Sequence, residues 1–582
     1  MIITFHHMKN TFTRSWRRVI PAVLLGCSLF SCQDLLEVEP ENALDASKFY
    51  QNKFDADAAV IGIYGEFMNL AQRHVVLNEL RADLMDVTAN ADNDLVELSR
   101  HRLSMGNPYA DPKPYYKVIL LCNDALSNFD RMLAENKIDN TEYIQRYADI
   151  ATLRSWLYLQ LVTHYGEVPY ITEPFVRLAD VRNLDRFPRL GIEAMVKELI
   201  KVMEALPYME LYTTTNSLAA PIDNYATLKF FIHKKQFLGD LYLWDGRYLD
   251  AAKMYKDVME TGGPGNYDMY RIGWSFPTDT DLAVGYIRFK DDDYFSLVDS
   301  ETDGWRSIFD RPVDTWFNHE WIWYLPFDTR FAPKNPFVDL FSNQGGRYLV
   351  KPSERAMSLW NSQVQNNGIP YDARRVFTVH NILGQPVIMK YIYDYNPALP
   401  LETSGKWFLS RAANLHLRYA EAANRDHKRK LALAMLNQGI SATYDNPDVS
   451  DERIDKQTFY PFPYDFEARN SNTPYFFRDT YHKHVGIRGR AYVQAKPVPA
   501  GITPQDSTSL IEDHLVEEAA LELAYEGHRW NDLVRVAVRR NDPAFLADKI
   551  RDKLALANDP RASEVHALLM KRENWFLPFK WD

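Results

Sequence analysis

The sequence predicts a mainly α-helical fold: tetratricopeptide-like helix pairs stacked as a solenoid, interrupted by irregular inserts of loop and short strand. Three observations lead to it. Residues 225–259 read as two short helices joined by a tight turn. Amphipathic segments of helical length flank them on both sides. Over about 274–400 and 441–506, helical periodicity dissolves into Gly, Pro and aromatic residues.

In the first half of the hairpin Phe230, Phe237 and Trp244 recur at seven-residue spacing, with Phe231, Leu238, Leu241 and Tyr242 beside them. This predicts one helix with a broad apolar face, running from about Tyr225 and stopped by Asp245 and Gly246. In the second half Tyr248, Ala251, Tyr255 and Met259 recur every three or four residues, and the small Ala251 and Ala252 admit a close neighbour. Thr261-Gly262-Gly263-Pro264-Gly265 ends the helix. The order Gly246, Tyr248, Ala251, Tyr255 matches the second half of a tetratricopeptide unit. Such a unit cannot bury its apolar face alone, so further pairs are expected.

Upstream, Phe54–Leu70 aligns Ala59, Ile63, Phe67 and Leu70 on one helical face, and Tyr115–Leu133 forms a second helix. Tyr143–Tyr165 follows, with Ile150, Leu153, Leu157 and Leu161 in register, ended by Gly166 and Pro169; Gly191–Leu206 pairs with it. Between the first two helices lies Arg73–Asp111, a polar, turn-rich excursion of a length that usually carries function. Downstream, helices are expected at Ser410–Asn424 and Lys430–Ile440. A single long helix, about Ile511–Arg540, carries Val516, Ala520, Leu523, Trp530 and Val534. The helical repeats thus occupy about 46–262, 410–440 and 511–540, within one domain spanning 46–582.

At 582 residues and 46% hydrophobic content the chain can bury a large core. Its formal net charge is −11, and residues 1–31 carry Lys9, Arg14, Arg17 and Arg18 with no acid, so the remainder is more acidic still. That balance, with no basic stripe, argues against nucleic acid as a partner. Cys122 sits among Ile119, Leu126, Phe129 and Leu133 at helical spacing, which predicts a buried core thiol; no structural disulfide is expected.

The other two cysteines belong to the N-terminal segment. Residues 9–18 are basic, Val19–Phe30 are mostly apolar, and a small residue precedes Cys32: a secretory signal over 1–31, with an apolar run too short to span a bilayer. Leu29-Phe30-Ser31-Cys32 resembles a lipoprotein cleavage box. Leu24-Leu25-Gly26-Cys27 also fits, but cleavage before Cys32 removes the whole apolar run and leaves a polar tether, 32–45, behind an acylated Cys32. Acyl chains on that residue would hold the protein at a membrane surface, at about 0.8 kcal/mol per buried methylene.

Several pieces together resemble the SusD/RagB family of Bacteroidetes outer-membrane lipoproteins. They are Ser31–Pro40; Phe49-Tyr50 followed by Asp57–Tyr64; Leu153-Arg154-Ser155-Trp156-Leu157-Tyr158 leading to His164–Pro169; Arg418–Ala422; and Leu523–Leu533. The resemblance implies about four tetratricopeptide-like helix pairs and a lipid-anchored, non-catalytic protein at the cell surface that captures oligosaccharide. It also implies a partner, a SusC-like TonB-dependent transporter, over which the lipoprotein sits as a lid. RagB-like relatives bind peptides instead, and that alternative stays open. A surface glycosidase is a weaker third reading, because no paired acids can be placed. No cofactor is implied.

Five of the thirteen tryptophans fall in 274–323. Trp321 and Trp323 lie in a run apolar on both faces and are expected in the core. Trp274, Trp305 and Trp316 are flanked by Gly, Asp and Asn, which places them in loops. A sugar offers a C–H face to an aromatic ring and hydroxyls to amides, carboxylates and guanidinium groups. Trp305, Trp316, Trp274 and Tyr109, with Arg73 and Asn93 from the excursion, are the candidate glycan contacts, and Asp303, Arg306 and Asn318 stand beside the loop tryptophans. Glu526-Gly527-His528-Arg529 falls inside the expected long helix and reads as packing. Asp291-Asp292-Asp293 lacks EF-hand spacing. His482 and His484 would share one side of a strand but lack a third metal ligand. No catalytic or metal residue is assigned.

Overall fold

A computed structural model describes residues 49–581 except 105, 176–183, 222–224, 264–266, 268, 274–304, 311–318, 447, 449–454 and 474. The chain divides into two compact units, Met1–Gln51 and Asn52–Asp582. Of the first, only Phe49–Gln51 are described, so the expectations for the signal, Cys27, Cys32 and the tether lie outside the described residues. All elements below belong to the second unit.

Several helices begin at a side-chain cap that the sequence supplies. Helix α1 (Lys53–Met68) opens on Asn52, whose side chain accepts from the Phe54 amide at 2.9 Å while Asp55 accepts from the Asn52 amide at 3.2 Å. It buries Ala56, Val60, Ile63, Tyr64 and Phe67. The excursion contributes α2 (Ala71–Val75) and α3 (Asn93–Ser99), and α4 (Lys113–Ala134) follows with Cys122 fully buried. Burial pushes that thiol up to about 12, which leaves it inert. Helix α5 (Asn140–Tyr165) is capped by Asp139 and ended by Gly166 at φ 77°. From Ala148 to Tyr165 it is buried on nearly every side, because α1, α4, α6 (Ile192–Glu204) and α7 (Lys234–Asp245) all pack on it.

The α7–α8 hairpin, with α8 at Tyr248–Met259, turns on Gly246 at φ 80°. Tyr255 of α8 lies so close under Gly239 of α7 that a Cβ there would meet its ring at 2.7 Å. The phenol donates to Asp240 at 2.6 Å. The start of α7 corrects the sequence expectation: Phe230 and Phe231 are not in the helix. Tyr64 Oη accepts from the Ile232 amide (3.1 Å) and Trp323 Nε1 donates to the Phe230 carbonyl (3.0 Å), so tertiary partners claim this backbone before a helix can.

The solenoid continues from α8 onto α9 (Ala412–Arg425), which packs on α10 (Arg429–Leu436) and α11 (Pro504–Glu522). Helices α12 (Arg529–Arg540), α13 (Ala544–Leu556) and α14 (Ala562–Leu569) close the chain, each packed on the one before, and the last two escaped the sequence reading. Inserts and inter-helix connections supply short antiparallel ladders. Strands β1 (Met85–Val87) and β5 (Val350–Pro352) pair, as do β2 (Glu167–Pro169) with β3 (Arg189–Gly191), β6 (Val379–Ile382) with β7 (Gln385–Ile388), and β9 (Asn470–Ser471) with β10 (Phe477–Arg478). The longest joins β4 (Trp321–Phe327) to β8 (Gly405–Arg411), both lying in the core. Trp323 stacks on Phe67 at 5.7 Å, and Trp407 and Trp156 approach the same ring at 4.9 and 5.4 Å, fixing this ladder to α1 and α5. Each such pair contributes roughly 0.5–1.5 kcal/mol beyond simple burial.

The expected single helix over 511–540 is two helices, and the break is built into the core. Tyr525 (φ 71°) and Gly527 (φ 85°) leave the helical region. The Glu79 carboxyl group accepts from the amides of Gly527 (2.8 Å), His528 (3.0 Å) and Tyr525 (3.2 Å), capping α12 from a distant segment. Glu526, Gly527, His528 and Arg529 are therefore a junction, not a stretch of helix. Glu526 accepts from Lys390 (2.6 Å) and Arg411 (2.8 Å), and Arg529 donates to Asp83 (2.6 Å). Beneath it lies a buried ion network in which Glu522 holds Arg374, Arg411 and Arg490, Glu518 holds Arg374 and Arg488, and Glu320 holds Arg411 and Arg490.

Candidate functional site

Three of the six candidate residues meet in the excursion. Arg73 on α2 sends Nη1 to the carbonyls of Tyr109 (2.9 Å) and Asp111 (3.1 Å) and Nη2 to that of Pro108 (2.8 Å). Its guanidinium also lies 5.8 Å from the centre of the Tyr109 ring. With three carbonyls satisfied, Arg73 acts as the pin that sets the 108–111 turn. Gln72 Nε2 donates to the Tyr109 hydroxyl at 3.1 Å. Burial, then the nearby Asp92 carboxylate, pushes the phenol up to about 12, so it is neutral and keeps its proton to donate.

The third residue joins through side chains. Exposed Asn93, at the start of α3, donates to Glu97 Oε1 at 2.9 Å. Glu97 Oε2 accepts from the Ser104 amide (2.9 Å) and from Asn107 Nδ2 (3.2 Å), and Asn107 Oδ1 in turn accepts from the Tyr109 amide (3.0 Å). These contacts hold the Glu97 carboxyl below its usual range. Asn90 Nδ2 donates to the Arg347 carbonyl at 3.0 Å, and Thr88 pairs with Leu349 and Tyr348, so the excursion is tied to the second half of the chain. The outcome is a polar ledge of amide, carboxylate and guanidinium groups beside a partly buried phenol, a donor and acceptor set that suits vicinal hydroxyls.

Trp305 does not face solvent. It is 0% exposed, packed on Phe309 with ring centres 5.6 Å apart, and its ring lies 5.3 Å from the Arg411 guanidinium and 5.7 Å from the Lys390 ammonium. The loop-platform expectation is corrected for this residue: cations of the buried ion network and an aromatic neighbour occupy its surroundings. Trp274 and Trp316 lie outside the described residues, as do Asp291–Asp293, Asp303 and Asn318. Trp321 and Trp323 are buried as expected.

Exposed aromatics stand elsewhere, in the second insert. Phe459 is 74% exposed and Phe476 73% exposed, with Phe462 and Tyr475 half in solvent. Phe459 takes φ 56°, a strained backbone for a non-glycine residue. Phe476, in the β9–β10 loop, is backed by the Arg478 guanidinium 4.1 Å from its ring centre, and Arg478 is itself held by Asn472 at 2.6 Å. The signal that could have found them is the composition of Phe459–Tyr464 and Pro474–Phe477, where aromatics alternate with proline and have no helical period.

Perturbed acids sit in the core. Burial raises Asp149, which accepts from Tyr64 Oη at 3.2 Å, to about 7, and Glu79 to about 8. His484 is not on a strand: it is buried in a turn region, stacked on His416 at 5.6 Å, and burial lowers it to about 3. Among the described residues no cluster of His, Cys, Asp and Glu has metal-binding geometry, and no helix is long and apolar enough to cross a membrane.

Comparison with known proteins agrees with this architecture. The sequence model of the SusD family matches residues 387–563. SusD-like protein P25 of Formosa agariphila is 26% identical over 189 residues, which is 29% of this chain and 34% of that protein, so the match spans about a third of the relative's length. Among solved structures, a SusD-like carbohydrate binding protein from Bacteroides fragilis superposes with a TM-score of 0.54 at 16% identity, covering 85% of this chain and 88% of the other. Surface glycan-binding protein A from Bacteroides uniformis gives 0.55 at 15% identity, covering 91% and 96%. Over residues 387–563 the chain carries the sequence pattern of the SusD family, and its fold is similar to that of SusD-like proteins of known structure.

Proposed function

We propose that this protein is a non-catalytic lipoprotein, anchored through Cys32, that captures oligosaccharide at the cell surface and delivers it to a SusC-like TonB-dependent transporter in the outer membrane. The observation that carries the reading is the ledge around Tyr109, where Arg73 pins a neutral phenol beside Asn93, Glu97 and Asn107 on a helical scaffold. Such a ledge offers a ring face and several fixed hydrogen-bonding groups, which is what a sugar needs. The two solved structures that the fold resembles, one a carbohydrate binding protein and one a surface glycan-binding protein, support the same class. Isothermal titration against a panel of plant, host and microbial glycans tests it. Saturable binding that weakens in Tyr109→Ala supports the reading, and silence across the panel overturns it.

The peptide alternative has one observation of its own. An open cleft of about 820 Å³ is lined by Glu210, Asp257, Glu260, Asp465 and Glu467 beside Phe462, with one lining cation, Lys235, paired to Glu210 at 2.6 Å. Its charge suits a basic peptide. Titration with a basic and an acidic peptide of equal length separates the two readings.

A further inference from the structure

A second polar space lies away from the Tyr109 ledge, where α5, α7, α9 and α12 converge. About 70 Å³ there is open to the centre of a water-sized sphere. A water needs roughly 10–15 Å³ by that measure, so the space holds about five waters, an amount that one pyranose ring with its hydroxyls displaces. Trp156 and Trp244 contribute ring surface to its wall. Trp244, Asp240 and Asn531 keep partial exposure, which marks an outlet to solvent.

Four polar side-chain atoms of its lining have no hydrogen-bond partner. Gln236 is buried at 4% exposure; its Nε2 donates to Ser410 (2.5 Å) and Asn414 (3.1 Å), but its Oε1 has no partner. Asn531 Nδ2 donates to Gln160 at 3.0 Å, and its Oδ1 has none. His233 Nδ1 and His528 Nε2 are likewise unpartnered. Burial lowers both imidazoles, His233 to about 3 and His528 to about 4, so both are neutral at physiological pH. Of the neighbouring charged groups, Arg418 pairs with Asp532 at 2.5 Å, Arg535 with Glu421 at 2.6 Å, and Asp240 accepts from the Tyr255 hydroxyl at 2.6 Å. Buried polar atoms without partners are costly. This set calls for a ligand rich in O–H donors and without net charge.

We propose that this interior space is a binding site for a single neutral monosaccharide-sized polyol, held by Gln236, Asn531, His233 and His528 with its C–H face toward the tryptophans. It goes beyond capture at the Tyr109 ledge, uses none of that ledge's residues, and stands whether or not the ledge binds oligosaccharide.

The test is saturation-transfer NMR with isothermal titration of the intact protein against glucose, galactose, mannose and xylose, with glycerol as the control. At least one sugar is expected to saturate, more tightly than glycerol. Gln236→Leu and Asn531→Leu should each weaken it about tenfold, the worth of one hydrogen bond. Circular dichroism checks that the variants fold, and Trp244→Leu at the outlet replaces any that does not. The proposal fails if no sugar saturates, if glycerol binds as tightly as the sugars, or if binding survives the lining substitutions. It also fails if a crystal grown with the sugar shows only discrete waters in this space.

Discussion

Replacing Glu522 by Gln removes one negative charge from the middle of the buried ion network. Glu522 accepts from Arg374 and Arg490 at 2.7 Å each and from Arg411 at 2.8 Å, and it is 0% exposed. An amide keeps the shape but offers one acceptor oxygen and no charge, so it leaves three guanidinium groups undercompensated in a dry interior. Breaking a buried pair of this kind costs about 3–5 kcal/mol. Burial alone would raise the Glu522 carboxyl, but Arg490, Arg411 and Arg374 together hold it well below the usual range. A depressed carboxylate contributes stability that is fully present above its unfolded value, near 4.3, and is lost as pH falls through the folded value. The gap between wild type and Glu522→Gln should therefore be flat from about pH 8 down to about pH 5 and close only in stronger acid. Urea unfolding followed by both tryptophan fluorescence and circular dichroism measures it, the two probes guarding against intermediates. A loss under about 1 kcal/mol at neutral pH, or a gap that widens on acidification, would refute the reasoning. Adding Arg490→Met to the variant should recover part of the loss by restoring charge balance.

Glu79 has the opposite sign. Burial raises its carboxyl to about 8 despite four backbone donors, so the folded protein holds a proton that the unfolded chain releases. Stability from this group is complete below about pH 4.5 and falls toward pH 8, by at most about 1.4 kcal/mol per pH unit; Glu79→Gln should flatten that slope in a urea series. Gly527→Ala places a Cβ 2.6 Å from His74 Nε2 at φ 85°. A loss of about 1–2 kcal/mol from the backbone is expected, with a further steric part that His74→Ala relieves and the backbone part remaining. Tyr109→Ala should weaken glycan binding about tenfold with an unchanged melting temperature, whereas a fall in melting temperature would make Tyr109 a packing residue. Phe476→Ala tests whether the exposed insert shares in binding: a two- to tenfold loss, about 0.5–1.5 kcal/mol, is expected if it does, and an unchanged titration rules it out.

Local pattern made the helices legible wherever a stripe of apolar residues and a cap fall together in the chain. Gly166 after α5 and Gly246 between α7 and α8 are of this kind, because each signal acts within a turn or two of the backbone it controls. The same pattern misled where distant groups compete for that backbone. Phe230 and Phe231 keep helical spacing, but the main chain of Phe230 goes to Trp323 and that of Ile232 to Tyr64, and the 511–540 stripe runs across a junction that Glu79 opens from over four hundred residues away.

The candidate site divides in the same way. Composition singled out Arg73, Asn93 and Tyr109 as polar and aromatic residues in a long excursion, and the flanks of Trp305 placed it in a loop. What composition cannot contain is direction. Arg73 spends its guanidinium on three carbonyls of the turn that carries Tyr109, and Trp305 turns inward over Arg411 and Lys390. The sequence by itself determined most of the helix pairs and the chemical inventory of the inserts, since those follow from periodicity and turn chemistry. Which aromatic rings reach solvent, and which buried polar atoms are left without partners, only the tertiary structure decided, because both depend on neighbours brought together from opposite ends of the chain.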